Sequence, residues 1–143
     1  MEPLDDQGRR QVDAALAAWR QGDCVLAEHW FVFRIDTQRP LTAEGAEAAE
    51  GEAESAEAEV RGFVVVTQTC DLVRACGDRP YVEVSPLVEV DEGTLREIAR
   101  GRRPNYALVP TVADERFVAD LDRVMTVEKS VVAGWDRVAG CES

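Results

Sequence analysis

Gly62-Phe63-Val64-Val65-Val66-Thr67-Gln68-Thr69-Cys70-Asp71 is the stretch that decides the fold class of this chain. An apolar, β-branched run ends in three small polar residues, and a thiol and a carboxylate follow side by side. A short run of this kind bounded by polar residues forms a buried strand. Its C-terminal end delivers Thr67, Gln68, Thr69, Cys70 and Asp71 to the rim of a sheet. That makes the five residues candidate site residues, with Cys70 a candidate nucleophile.

Working outward, Asp23 to Arg34 (DCVLAEHWFVFR) is aromatic-rich with apolar residues on both faces. This predicts a long strand lying centrally in a sheet. Before it, residues 5–20 place Val12, Ala15, Leu16 and Trp19 on one face and Asp6, Arg9, Arg10, Asp13 and Arg20 on the other, an amphipathic N-terminal helix ended by Gly22. Beyond the central run, Cys76-Gly77-Asp78-Arg79-Pro80 marks a turn. Tyr81 to Ser85 alternates with period two, Pro86 interrupts it, and Leu87 to Val90 continues or pairs back.

Asp91 is a helix N-cap for Leu95, Ile98 and Ala99, with Gly101 and Pro104 as stops. Tyr106 to Pro110 reads as a short strand. Phe117, Ala119, Leu121, Met125 and Val127 fall on one face of an extended segment. Residues 128–139 return to helical spacing through Val131, Val132, Trp135 and Val138. The expected fold is mainly β with flanking helices (α+β), a compact barrel or curled sheet over residues 21–132 in a single domain, 1–143.

Composition sets the outer limits. A chain of 143 residues, 45% apolar and 31% charged, buries about two-thirds of its unfolded surface without needing a disulfide or metal. The acidic start Met1-Glu2-Pro3-Leu4-Asp5-Asp6 predicts no secretory leader, and no apolar run approaches the ~20 residues of a membrane helix, so the expected location is cytoplasmic. Cys24, Cys70, Cys76 and Cys141 lack zinc-knuckle spacing and His29 is the only histidine; neither metal nor cofactor is expected, and the cysteines read as reduced thiols. Of the 16 basic residues only Lys129 is lysine, a bias that suggests a GC-rich bacterial genome.

The net charge of −12 is unevenly spread. Seven glutamates (44, 47, 50, 52, 54, 57 and 59) crowd Thr42 to Glu59 with no basic residue among them, and without them the balance is −5. With no large apolar residue after Leu41, residues 42–59 are expected to be a flexible or weakly helical acidic insertion. A field of this sign disfavours RNA, though a local basic patch could still bind phosphate.

Several pieces, in order, resemble the MazF/PemK family, the small SH3-like barrel toxins of bacterial toxin–antitoxin systems. Gln21-Gly22-Asp23-Cys24-Val25 is similar to that family's opening "G-D-[IV]-V" strand. Arg61-Gly62-Phe63-Val64-Val65-Val66 resembles its "R-P-hydrophobic-V-V-V" strand, and Val82-Glu83-Val84-Ser85-Pro86-Leu87 its "V-x-V-x-P-[IL]" strand. Leu121 to Lys129 resembles the "D-x-[IV]-R-T-[IV]-D-K" segment before the last helix. The resemblance implies a barrel with Arg61 at the position of an arginine that supports metal-free RNA cleavage. It also implies a hydroxyl shortly after the proline, where this chain has Leu87-Val88-Glu89-Val90. A glutamate tract replaces the family's glycine-rich substrate loop. Cys70-Asp71 and the N-terminal helix have no counterpart.

Three functions follow. One is a binding or regulatory module that has lost RNA cleavage and works through a protein partner, either another operon product or a second copy. Another is a metal-independent ribonuclease using Arg61. The last is a cysteine enzyme in which His29 activates Cys70. For the last pair the alternatives are a strand-end thiol packed as a small hydrophobe and a core histidine. Arg100, Arg102 and Arg103 with Tyr106 form a candidate phosphate-and-stacking set, or else satisfy a helix C-terminus.

Overall fold

The structure is a computed structural model that describes residues 1–141. The valine run forms the inner half of β2 (Ser55–Val65), where Phe63, Val64 and Val65 are all buried. β2 pairs antiparallel with β1 (Cys24–Arg34) and, through Phe63–Val65, with β3 (Tyr81–Glu89). On its other side β3 has two neighbours in succession. Tyr81–Val84 pairs with β6 (Met125–Glu128), and Leu87–Glu89 pairs with β5 (Phe117–Asp120), beyond which lies β4 (Tyr106–Leu108). Ser85 and Pro86 fall between those two ladders, where a residue without an N–H is tolerated.

The result is a six-stranded antiparallel sheet in a mixed α+β fold, and the sheet does not close on itself. β1 and β6 approach each other, but among the described residues the hydrogen bond between them is that of the Val32 amide to the Met125 sulfur at 3.4 Å. α1 (Asp6–Leu16) is capped by the Asp5 carboxylate, which accepts from the Gly8 amide at 2.8 Å. It brings Val12 and Leu16, with Trp19 just beyond, onto a core of Val25, Phe31, Val60, Phe63, Val65, Val82 and Val84. α5 (Lys129–Ala133) adds Val132 to the same core. A second cluster of Cys24, Val64, Leu87, Val109, Val112 and Ala119 fills the other side of β2, with Val112 supplied by a 3₁₀ turn at Pro110–Glu115. No helix is long and apolar enough to cross a membrane among the described residues.

Four expectations change. β1 is an edge strand rather than a central one: Phe31 points inward, while Leu26, Trp30 and Val32 face solvent. The acidic tract is ordered. Thr42 caps α2 (Ala43–Glu50), and residues 55–59 are the outer half of β2, with Ala56 and Ala58 buried opposite Phe33 and Phe31. Alanine suffices there because the facing aromatics fill the space. The extended segment breaks into β5 and β6 at a turn held by the Asp120 carboxylate, which accepts from the Asp122 amide at 3.1 Å and from Arg123 at 2.8 Å. The C-terminal helix stops after Ala133; Trp135 follows it in the chain, and Val138 forms an isolated antiparallel bridge with Cys24.

Candidate functional site

The arginine singled out by the family resemblance sits beside an irregularity in the sheet. An extra residue in β1 between Leu26 and His29 forms a bulge opposite Arg61, next to the Leu26–Gly62 pair. Gly62 has φ +150°, and a side chain there would place its Cβ 2.0 Å from the Val25 carbonyl oxygen. Only glycine fits. Beside the bulge, Arg61 lines a shallow cleft of about 380 Å³ together with Glu28, Glu59, Val60, Leu87, Val88 and Glu89. Its guanidinium lies 3.9 Å from Glu89 Oε2, and Glu89 Oε1 accepts from Arg116 at 3.1 Å. Three carboxylates therefore share the cleft with the one guanidinium that lines it, and Glu89 is paired with that guanidinium. Neither Cys70 nor Arg102 is among the residues lining it.

The polar residues at the end of β2 are used inside the fold. Thr67 Oγ1 accepts from the Glu83 amide at 2.8 Å, tying the strand end to β3. Thr69 Oγ1 accepts from the Gln21 amide at 3.0 Å, and Gln21 Nε2 donates to the Val66 carbonyl at 2.9 Å, tying it to the turn before β1. Gln68 precedes α3 (Thr69–Leu72), and Asp71 pairs with Arg74 at 3.7 Å.

Cys70 stands on α3, not on a strand, and is exposed; its thiol meets only Gln68 Oε1, at 3.7 Å. His29 is elsewhere engaged. Its ring packs against the stacked pair of Phe63 and Trp135, with centroids 5.4 and 5.6 Å away, and Nε2 is buried without a partner. Desolvation lowers the imidazole pKa. No hydrogen bond joins His29 to Cys70, so the thiol lacks a base in this geometry. The packed-thiol alternative fails as well, because the thiol is at the surface.

The arginine group closes α4 (Glu92–Ala99). The Arg100 amide returns to the Arg96 and Glu97 carbonyls at 3.2 Å, the Arg102 amide to Glu97 at 3.0 Å, and Arg103 Nε donates to Glu97 Oε2 at 2.6 Å. Tyr106 follows on β4 and is half-buried.

Two polar residues that sequence reasoning missed hold the fold. Asp23 is buried, and its carboxylate accepts from the Arg20 amide, Arg137 and the Gly140 amide at 2.9, 3.0 and 3.0 Å. Lys129 is also buried, with Nζ 2.7 Å from the Arg74 carbonyl and 2.9 Å from that of Asp71. A polar residue following Gly22 and a lone lysine were the only signals in the sequence. Ser85 Oγ is buried with no partner. Among the described residues no group of three or more metal-ligating side chains is placed to hold an ion.

Comparison with models of known protein families, with curated proteins and with solved structures finds no match. The function therefore rests on the site itself. Its candidate nucleophile has no base, its candidate phosphate ligand stands among carboxylates, and the edge strand β1 carries three exposed apolar residues, Leu26, Trp30 and Val32.

Proposed function

We propose that the chain is a protein-binding module on a small MazF-like barrel, without RNA cleavage, acting in a bacterial toxin–antitoxin or phage-defence system. The observation that carries the reading is the company of Arg61. At the position where the resemblance puts a phosphate ligand, Glu28, Glu59 and Glu89 line the same cleft. Carboxylates lining one cleft repel the phosphate that an RNA substrate would bring. The absent hydroxyl after Pro86 supports the same reading, and so does the acidic tract, which is built into the hairpin beside this cleft.

The curl of the sheet around one main core, with β1 and β6 drawn together, supports a barrel of the toxin type left open at one seam. Incubating the purified protein with single-stranded RNA, with and without a chelator, tests the proposal. The expected result is no cleavage above background. Chelator-insensitive cutting that Arg61→Ala abolishes would replace the binding module with a nuclease.

A further inference from the structure

Where the sheet stays open, two antiparallel strand edges face each other without a ladder, across a cleft of about 640 Å³ lined by Trp30, Val32, Phe33 and Arg34 of β1 and residues 124–127. The Val32 amide turns into this seam, and its acceptor is the Met125 thioether. Sulfur accepts weakly, and an unbranched methionine is easily moved aside. Alternation puts the main-chain groups of Trp30 and Arg34 on the same outward edge. The far end of that edge is already paired, because Cys24 and Val138 exchange two main-chain bonds of 2.9 and 2.7 Å.

Native proteins ordinarily cover such an edge or blunt it with charge. This one instead exposes Trp30 by 56% and Val32 by 44%, with Val124 exposed by 49% across the seam. The charge lies one strand away. Glu59 is the cross-strand partner of Trp30 and Glu57 that of Val32, so both carboxylates flank the apolar strip on its outer face. Arg34 is paired with Glu54 at 3.7 Å, while among the described residues neither Glu57 nor Glu59 has an ion-pair partner. A second copy would set the same glutamates, on a chain of net charge −12, against these. The strip calls for a cationic occupant.

We infer that the β1–β6 seam takes an extended segment of a partner protein in which lysine or arginine and apolar residues share one face, at every second position. Its apolar side chains lie on Trp30, Val32 and Val124, its cations reach Glu57 and Glu59, and one of its carbonyls replaces Met125 at the Val32 amide. This rests on the binding-module reading and gives that module its surface.

The probe is a synthetic peptide of repeating Val-Thr-Lys-Thr, which puts valine and lysine on one face of a strand, titrated into the isotope-labelled full chain and followed by amide NMR shifts; the same peptide with glutamate for lysine is the control. Shifts confined to residues 28–34, 57–59 and 124–126 are expected for the basic peptide alone, weakening as salt is raised. Glu57→Gln combined with Glu59→Gln should weaken binding about fivefold. Trp30→Ser, at an exposed position that leaves the spectrum dispersed, should abolish it. Shifts elsewhere, equal binding of both peptides, or no binding overturn the inference. So does concentration-dependent self-association that Trp30→Ser removes, which would make the occupant a second copy. RNA cleavage in the separate assay defeats the module reading itself; peptide failure without cleavage removes only this surface.

Discussion

The Lys129 ammonium lies 2.9 Å from the main-chain carbonyl oxygen of Asp71, so that the start of α5 anchors the end of α3. The Arg74 carbonyl takes a second bond at 2.7 Å, and the whole side chain is buried. A buried cation is tolerated only when its protons are accepted. Lys129→Met keeps the stem volume but strands two carbonyls, each costing about 1–3 kcal/mol, while relieving the burial of a charge. The expected net loss is about 2 kcal/mol in urea denaturation. A variant as stable as the parent would show that the two bonds contribute nothing net.

The acidic tract gives a second prediction. Ala56 and Ala58 cover Phe33 and Phe31, and Gly45 of α2 is buried so tightly that a Cβ there would come within 2.9 Å of Thr42 Oγ1 and 3.2 Å of Ile35 Cγ2. Replacing residues 42–59 with a Gly-Ser linker removes half of β2 and exposes two aromatic rings. The melting temperature should fall by more than about 10 °C. A change of only a few degrees would mean that the hairpin arm is an appendage.

That tract also shows what can be read from this sequence and what cannot. Val64 to Val66, Tyr81 to Ser85 and the Asp91 cap announce themselves through local chemistry, and the structure places there a strand that ends at Val65, a second strand and a capped helix. Ala56 and Ala58 are quiet, because two methyl groups suffice only once Phe31 and Phe33 have been positioned by the partner strand. The apolar residues on both faces of β1 read equally as a central strand or as an edge whose outer face is bare. At the site, Thr67 and Thr69 were visible as polar residues at a strand end. Their use as ties depends on Glu83 and Gln21, which only the tertiary fold brings to them.

Thiol reactivity should follow exposure. Cys70 and Cys141 are exposed, Cys76 is half-buried and Cys24 is buried. In the native protein a soluble thiol reagent should modify Cys70 and Cys141 first and Cys24 only after unfolding. His29→Ala should leave the rate at Cys70 unchanged, and Cys70→Ser should alter stability by less than about 0.5 kcal/mol. A Cys70 rate that drops sharply with His29→Ala would restore the nucleophile hypothesis.

Acid should destabilise the fold through His29. Burial against Phe63 and Trp135 lowers its pKa from 6.5, so the unfolded chain binds the proton more readily than the folded one. The stabilising contribution is present above pH 6.5 and is lost as pH falls through the folded value. Melting temperatures measured from neutral pH downward should drop less steeply for His29→Phe than for the parent. Parallel curves would show that the ring finds a partner for its second proton.

At alkaline pH the sensitive group is Cys24. Burial on β1, reinforced by the neighbouring Asp23 carboxylate, pushes its thiol from 9.0 up to about 11. Here the folded chain holds the proton that the unfolded chain releases. The contribution is therefore complete below pH 9 and disappears as pH rises through about 11. Lys129 acts in the opposite sense, since burial lowers its pKa from 10.5 and favours the folded state as pH climbs through that window. Comparing the parent with Cys24→Ala cancels the lysine and isolates the thiol. The variant starts lower, because removing the buried sulfur leaves space in the second core cluster. The difference between the two should then shrink by on the order of 2–3 kcal/mol between pH 9 and about 11. Urea denaturation across that range reads it directly, and a constant difference would mean that the thiol ionises as freely in the folded chain as in the unfolded one.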